Sequence, residues 1–211
     1  LKILVDCSGS MEGDSIEAAR RALHAALQAL DERDLVSFSR FGGHVVHGLK
    51  RLTPCSPATI ADLSKQVSSM TASLGGTEMV AALQSTIETI RPPRRDETPG
   101  TVCVLLITDG AVWASDEVVR TAARADHRIF AVGVGSAPAE SLLRELAERT
   151  GGACELVSPN EDFAAAIGRM FHRMRAGQVA RIEVDWGIAP RWQSPLPGRL
   201  YDGETVHVLA G

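Results

Sequence analysis

The chain of 211 residues is long enough for one domain of ordinary size with a short addition, and its 45% hydrophobic content can form a substantial core. Only 4% of the residues are aromatic, so we expect that core to be aliphatic. A formal net charge of -4 argues against general binding to nucleic acid or anionic membranes, and no apolar run approaches the roughly 20 residues that span a bilayer.

Continuous apolar runs alternate with helical patterns along the first 175 residues. Strands are predicted at 1–6, 101–108, 128–134 and 153–157, with a hairpin formed by 34–41 and 44–50. Apolar residues spaced by three and four predict helices at 14–31, 58–72, 77–91, 115–126, 139–150 and 161–175. Strands that are apolar throughout and alternate with helices are typical of a mostly parallel sheet. The prediction is therefore a doubly wound α/β fold with one antiparallel edge strand and helices on both faces.

Residues 176–211 break this alternation. Two alternating runs, at 182–186 and 206–208, predict strands with no helix between them. We expect residues 1–175 to form one domain and residues 176–211 to be a β-rich tail, part of a separate β module that is incomplete here. Because the chain starts on Leu1 inside a predicted strand, we expect it to be an excerpt of a longer protein.

The cysteines and histidines do not predict a metal site. The four cysteines lie in different segments without CxxC spacing, so we expect them to be unpaired, which favours a reducing compartment such as the cytoplasm. No HExxH sequence occurs, and His44 and His47 should lie on opposite faces of a strand, in contact with solvent.

Oxygen-bearing side chains follow two of the predicted strands. The sequence DCSGS at 6–10 puts Asp6, Ser8 and Ser10 at alternate positions, hence on one side of an extended chain. Thr77 comes directly after two glycines at a helix start, and Asp109 ends the most apolar strand. In a doubly wound sheet, ligands bind beyond the carboxyl ends of the strands, where these groups should lie.

These five groups are hard oxygen ligands, the kind that a small divalent cation such as Mg²⁺ prefers. The absence of nitrogen and sulfur ligands disfavours zinc or copper. Since hydroxyl groups are neutral, a bound metal would keep much of its charge and an exchangeable position. Such a site is suited to capturing an acidic group of a partner.

The DxSxS sequence at 6–10, Thr77 and the TDG sequence at 108–110 together resemble the von Willebrand factor A-type domain. Its adhesion site is called MIDAS, for metal-ion-dependent adhesion site. The similarity covers about residues 1–175 and implies a Rossmann-like sheet. It also implies that Mg²⁺, or else Mn²⁺ or Ca²⁺, binds to a set of five residues: Asp6, Ser8, Ser10, Thr77 and Asp109. The expected function is binding of a protein that offers an exposed Asp or Glu, without enzymatic activity.

The tail sequences "VDWG" and "PLPGRLYDGETVHVLAG", with "ITDGAVW" at 107–113, resemble a narrower group. They are similar to bacterial and animal proteins that resemble inter-alpha-trypsin inhibitor heavy chains. In those proteins a VIT domain precedes the A-type domain and a β-rich segment follows it. The resemblance implies that the tail normally pairs with an N-terminal β domain absent from this sequence. Without that domain, we expect the tail strands to pack on the flank of the α/β domain or to pair with a second copy of the chain.

Two alternatives remain for the oxygen cluster. Ser8 and Ser10 could serve only as helix caps. A Mg²⁺-dependent phosphotransferase or phosphatase of the haloacid-dehalogenase type would also place an Asp after the first strand. That chemistry needs an acid or base two residues later, where Ser8 stands, and a serine cannot act as an acid near pH 7.

Several neighbouring residues have open roles. Glu12 and Glu78 either tune the site or are simply solvated. Trp113 either lines the site or is buried under a loop, and the basic sequence at 91–95 is expected to be an exposed connector.

Overall fold

The computed structural model describes residues 1–89, 102–110, 115–124, 127–135, 139–158, 161–179, 182–196 and 199–211. Trp113 and the basic sequence at 91–95 lie outside these ranges. None of the described helices is long and apolar enough to cross a membrane.

Six strands form one sheet in the spatial order β3-β2-β1-β4-β5-β6. Their bounds are β1 Lys2–Asp6, β2 Leu35–Phe41, β3 Val45–Pro54, β4 Val102–Thr108, β5 His127–Val134 and β6 Cys154–Val157. All neighbours are parallel except β2 and β3, which form the predicted antiparallel hairpin at the edge. Because β1 lies between β2 and β4, the winding direction changes at the carboxyl ends of β1 and β4.

Six helices cover the two faces of the sheet. Their bounds are α1 Asp14–Gln28, α2 Pro57–Ser68, α3 Met79–Thr89, α4 Ser115–Ala123, α5 Glu140–Thr150 and α6 Phe163–Arg175. The helix α1 contacts α2 and α6, whereas α4 contacts α3 and α5. Local signals set several ends: Ser56 caps α2, Asp162 caps α6, and the left-handed Gly151 (φ 75°) ends α5. The doubly wound α/β prediction is therefore confirmed.

The core has two layers, one on each face of the sheet, because successive side chains along a strand point to opposite faces. Ile3 and Val5 of β1 belong to the cluster that includes α1 and α6, whereas Leu4 belongs to the cluster that includes α4 and α5. Both clusters consist mainly of Val, Ile, Leu and Ala, as the low aromatic content predicts. Because each strand of the sheet interior is covered on both faces, its carboxyl end is a fixed platform for a site.

No disulfide joins the four cysteines, all of which lie in the described residues, as predicted. Burial raises the pKa of the Cys7 thiol to about 12 and that of Cys55 to about 11. These thiols therefore stay protonated near neutral pH and behave as small apolar side chains.

The expectation that His47 is simply in contact with solvent is wrong. Its ring is not simply solvated: Nδ1 lies 2.8 Å from the Ser39 hydroxyl of β2 and Nε2 lies 2.9 Å from the Ser85 hydroxyl of α3. Burial lowers the pKa of His47, so the neutral ring is favoured. The histidine thus joins the edge hairpin to the helix that follows Thr77.

Lys2 is a buried cation at the start of β1, with no exposed area. Its ammonium group donates hydrogen bonds to the carbonyl oxygens of Thr86 (3.0 Å) and Ile87 (3.1 Å) near the end of α3. Burial lowers the pKa of Lys2 from 10.5 to about 8. The free energy of unfolding therefore depends on pH through this one side chain.

Between pH 8 and 10.5, the folded chain has released the Lys2 proton and the unfolded chain still holds it. Since the unfolded state then binds more protons, the Lys2 contribution to stability rises with pH across this window. We expect the free energy of unfolding of the wild type, measured by urea titration, to rise relative to that of Lys2→Met over the same window. A difference between the two proteins that stays constant with pH would contradict this account.

The tail contains a second, two-stranded sheet, formed by β7 (Gln178–Val179) and β8 (Leu200–Tyr201). The strands predicted at 182–186 and 206–208 are wrong, because the structure has no regular strand pairing there. A single bridge joins Gln193 to Ala210 nearby. An alternating pattern gives a strand only where a neighbouring chain accepts its backbone hydrogen bonds, and in the described residues none lies beside these runs.

One part of the tail packs closely on the α/β unit. Tyr201 is 6% exposed, and its hydroxyl donates a 2.7 Å hydrogen bond to the carbonyl oxygen of Gly152 after α5. Glu204 pairs with Arg173 of α6 at 2.6 Å. In contrast, Ile188 and Leu209 are 84% and 64% exposed. The tail therefore has one docked segment and one apolar segment open to solvent.

Candidate metal site

Asp6 ends β1 with a fully buried carboxylate. Its Oδ1 accepts a 2.9 Å hydrogen bond from the backbone N–H of Ser8, and its Oδ2 accepts a 2.7 Å bond from the Thr108 hydroxyl at the end of β4. The Thr108 oxygen in turn accepts a 2.9 Å bond from the backbone N–H of Gly110. The carboxylate is thus fixed between the two strands that form the switch point.

The charge of Asp6 is only partly compensated. Burial raises the pKa of this carboxyl, hydrogen bonds from Ser8 and Thr108 act in the opposite direction, and the charge of Asp109 raises it further. A carboxylate buried beside a second carboxylate is costly unless a cation offsets both charges. Each carboxylate oxygen can also accept more than one bond, so its ligand capacity is not used up.

Ser8 and Ser10 lie side by side, with 3.1 Å between their hydroxyl oxygens. Ser8 is 1% exposed and Ser10 is exposed, so the pair leads from the buried Asp6 to the surface. Ser8 precedes a short 3₁₀ turn, Gly9–Met11, but its side chain makes no capping bond, and α1 begins only at Asp14. The helix-cap alternative therefore does not explain Ser8.

The loop that carries Thr77 is tied to the Asp6–Ser10 loop by backbone hydrogen bonds. Leu74 N–H donates to the carbonyl oxygen of Cys7 at 2.9 Å, and Gly9 N–H donates to that of Gly75 at 2.8 Å. Glu78 N–H donates to the carbonyl oxygen of Gly42, also at 2.8 Å. Thr77 is partly exposed in this loop, two residues before α3 begins at Met79.

Asp109 directly follows β4 and is partly exposed. Its carbonyl oxygen accepts a 2.9 Å bond from Ala139 N–H, and the next residue, Gly110, has a left-handed φ of 75°. A Cβ at Gly110 would lie 2.8 Å from the Cβ of Ala139, so this turn requires glycine.

The predicted residues thus lie on loops at the carboxyl ends of the strands. Among the described residues, no group of three or more His, Cys, Asp or Glu side chains could hold a metal ion. The predicted set contains two carboxylates, Asp6 and Asp109, and its other three members carry hydroxyl groups. The assignment of the five residues as ligands stays a prediction.

Sequence reasoning missed the role of Thr108. Its hydroxyl positions the Asp6 carboxylate, and only the pairing of β1 with β4 brings the two together across 102 positions of sequence. The available signal was a hydroxyl residue at the end of the neighbouring apolar strand.

A family model described as the von Willebrand factor type A domain matches residues 1–156. The chain belongs to this family. A von Willebrand factor A domain-containing protein of Dictyostelium discoideum is 29% identical over 98% of the chain and 25% of its own length. The human von Willebrand factor A domain-containing protein 5A is 26% identical over 96% of the chain and 27% of its own length. The chain therefore spans about a quarter of the length of these curated relatives.

Solved structures share the fold at lower identity. A von Willebrand factor type A protein from Catenulispora acidiphila has a TM-score of 0.67 at 21% identity, covering 91% of this chain and 47% of that one. Proximal thread matrix protein 1 of the mussel byssus, in a form with a zinc-occupied MIDAS motif, has a TM-score of 0.60 at 17% identity, covering 79% and 44%. The manganese-loaded TRAP protein of Plasmodium vivax has a TM-score of 0.54 at 19% identity, covering 77% and 69%.

Proposed function

We propose that this domain binds a protein partner through a divalent cation held at the carboxyl end of β1. Asp6 and Asp109 supply negative charge, and Ser8, Ser10 and Thr77 supply neutral oxygens. The observation that carries the proposal is the buried Asp6 carboxylate, whose charge burial disfavours and which lies next to the paired hydroxyl groups of Ser8 and Ser10. A divalent cation would offset the two carboxylate charges and be left with an open position for a carboxylate of the partner.

The choice of metal follows from the donor types. Mg²⁺ prefers oxygen ligands and keeps several waters, and Mn²⁺ and Ca²⁺ accept the same donors. The zinc-occupied motif of the mussel protein and the manganese-loaded parasite protein support a divalent ion in a domain of this fold. We propose Mg²⁺ as the resident ion, with Mn²⁺ or Ca²⁺ as alternatives, since the proposed ligands include no nitrogen or sulfur donor that would favour zinc or copper.

An enzymatic role has little support. Domains of this family are generally non-enzymatic interaction domains. A phosphotransferase of the haloacid-dehalogenase type needs an acid or base at Ser8, whose hydroxyl lies 3.1 Å from another serine hydroxyl. We therefore propose capture without turnover.

One set of proteins, the wild type and two variants, distinguishes binding of a protein partner from enzymatic hydrolysis. A partner retained on immobilised domain in Mg²⁺ should be released by EDTA and should not bind to Asp6→Asn, whereas Glu32→Gln, an exposed change in the loop between α1 and β2, should behave as the wild type. No hydrolysis of a phosphate ester is expected. Metal-dependent turnover that disappears in Asp6→Asn would overturn this proposal in favour of the enzyme.

We propose that the tail, residues 176–211, is a structural platform separate from the metal site. Its exposed apolar residues include Trp192 at 58% and Ile188 at 84%. The resemblance to proteins with a preceding VIT domain suggests that an N-terminal β domain covers them, and the curated relatives are long enough to contain further domains. A second copy of the chain is the alternative occupant.

A further inference from the structure

The loops on the metal side of the sheet differ in charge from the loops on the opposite side. Among the described residues, the metal-face loops are 7–13 after β1, 42–44 after β2, 69–78 before α3, 109–110 after β4, 135 after β5, and 158 with 161–162 after β6. The sequence has no lysine or arginine in any of them. Their charged residues are acidic: Glu12, Glu78, Asp109, Glu161 and Asp162.

Arginines are present on the opposite side of the sheet. Arg33 lies between α1 and β2, Arg124 follows α4, Arg149 is in the last turn of α5, and Arg175 ends α6. Acidic residues lie there as well, since Arg33, Arg149 and Arg175 pair with Asp31, Glu145 and Asp34. The metal-face loops differ because their charged residues are all acidic.

Glu12 and Glu78 are close in the chain to proposed ligands. Glu12 directly follows the 3₁₀ turn that contains Ser10, and Glu78 is next to Thr77. Both are exposed, and the bond from Gly9 N–H to the Gly75 carbonyl oxygen (2.8 Å) holds their two loops together. Two exposed glutamates therefore belong to the two connected loops that carry Ser8, Ser10 and Thr77.

The charge balance defines the kind of partner that fits. Asp6 and Asp109 together would neutralise one divalent cation. Arg20, which donates to the carbonyl oxygen of Met70 in the 69–78 loop, is paired with Glu17, so Glu12 and Glu78 would leave the surrounding surface negative with metal bound. A partner that offers only carboxylates is attracted by the ion and repelled by this surface. A partner with cations next to its metal-binding carboxylate is attracted by both.

We propose that the partner presents an Asp or Glu flanked by Lys or Arg, and that Glu12 and Glu78 select for these flanking cations. The inference rests on the proposed metal-dependent capture and adds the charge pattern of the captured segment. The two glutamates are specificity determinants and do not hold the metal.

Three fluorescent peptides test this selection by anisotropy at saturating Mn²⁺. One has a central Asp between lysines, the second has the same Asp between glutamines, and the third has lysines around a central Asn. Because exposed ion pairs are weak, we expect the first to bind roughly 3- to 10-fold more tightly than the second at low salt. This preference should shrink at high salt, as screening requires.

The variant Glu12→Gln/Glu78→Gln should lose most of the preference, and Glu32→Gln should keep it. Equal affinity for the two Asp peptides, or an unchanged preference in the double variant, would overturn the selection and leave metal-dependent capture standing. Equal binding of the Asn peptide and the lysine-flanked Asp peptide would also overturn it. If calorimetry shows bound Mn²⁺ but neither Asp peptide binds, the capture proposal itself fails, and the selection fails with it.

Discussion

Replacing Asp6 with asparagine should abolish the stabilisation of the domain by divalent metal. In the wild type, metal at about 100 times its dissociation constant should add about 2.7 kcal/mol to the free energy of unfolding. For a chain of this length that corresponds to a rise in melting temperature of roughly 5–10 °C. Asparagine keeps the shape of the side chain but removes the buried charge that the cation offsets, so the rise should vanish.

The same substitution should behave differently without metal. Burial raises the pKa of the Asp6 carboxyl, so the charged form is disfavoured where no cation offsets it. Asp6→Asn should therefore melt no lower than the wild type in EDTA, while Glu32→Gln should match the wild type in both conditions. If the wild type and Asp6→Asn shift equally with Mg²⁺ and Mn²⁺, the proposed ligand set is wrong.

Replacing Gly42 with alanine should disrupt the position of the Thr77 loop. A Cβ at Gly42 would lie 2.5 Å from the Cβ of Leu74 and 2.6 Å from its carbonyl oxygen. Since these atoms belong to a loop fixed by backbone hydrogen bonds, the loop must shift, at a cost of about 1–3 kcal/mol of stability. We expect the affinity for Mn²⁺, measured by calorimetry, to fall roughly 10- to 100-fold.

Gly76→Ala is the matched control in the same loop. A Cβ at Gly76 would meet no atom within 4 Å, and its backbone is not left-handed. This variant should keep the stability and metal affinity of the wild type. Comparable losses in both variants would mean that the loop tolerates no change for reasons other than the contact with Leu74, and an unaffected Gly42→Ala would show that the loop does not hold the site.

The sequence predicted the strands and helices of the α/β unit well because most of them are strongly patterned. The apolar strands β1 and β4 are buried on both faces, and the helices show clear apolar periodicity, so local sequence and tertiary environment agree. The DxSxS sequence could also be recognised, since its three oxygen-bearing side chains lie within five residues of each other.

Features that depend on distant contacts could not be predicted. Tyr201 is a single aromatic residue in a polar segment, and nothing local indicates that its hydroxyl reaches Gly152, 49 positions away. The sequence predicts a solvated His47, because its partners, Ser39 and Ser85, come from two other elements. The tail strands were predicted at the wrong residues, because an alternating apolar pattern does not show which strand would pair with them.

The most direct test of the central claim is an anomalous difference map from crystals of the domain grown with Mn²⁺. The account predicts one dominant manganese peak within about 2.5 Å of the hydroxyl oxygens of Ser8 and Ser10, at the carboxyl end of β1 and close to Asp6, Thr77 and Asp109. Manganese bound at a different group of residues, or no peak here at a concentration that saturates binding in solution, would contradict it.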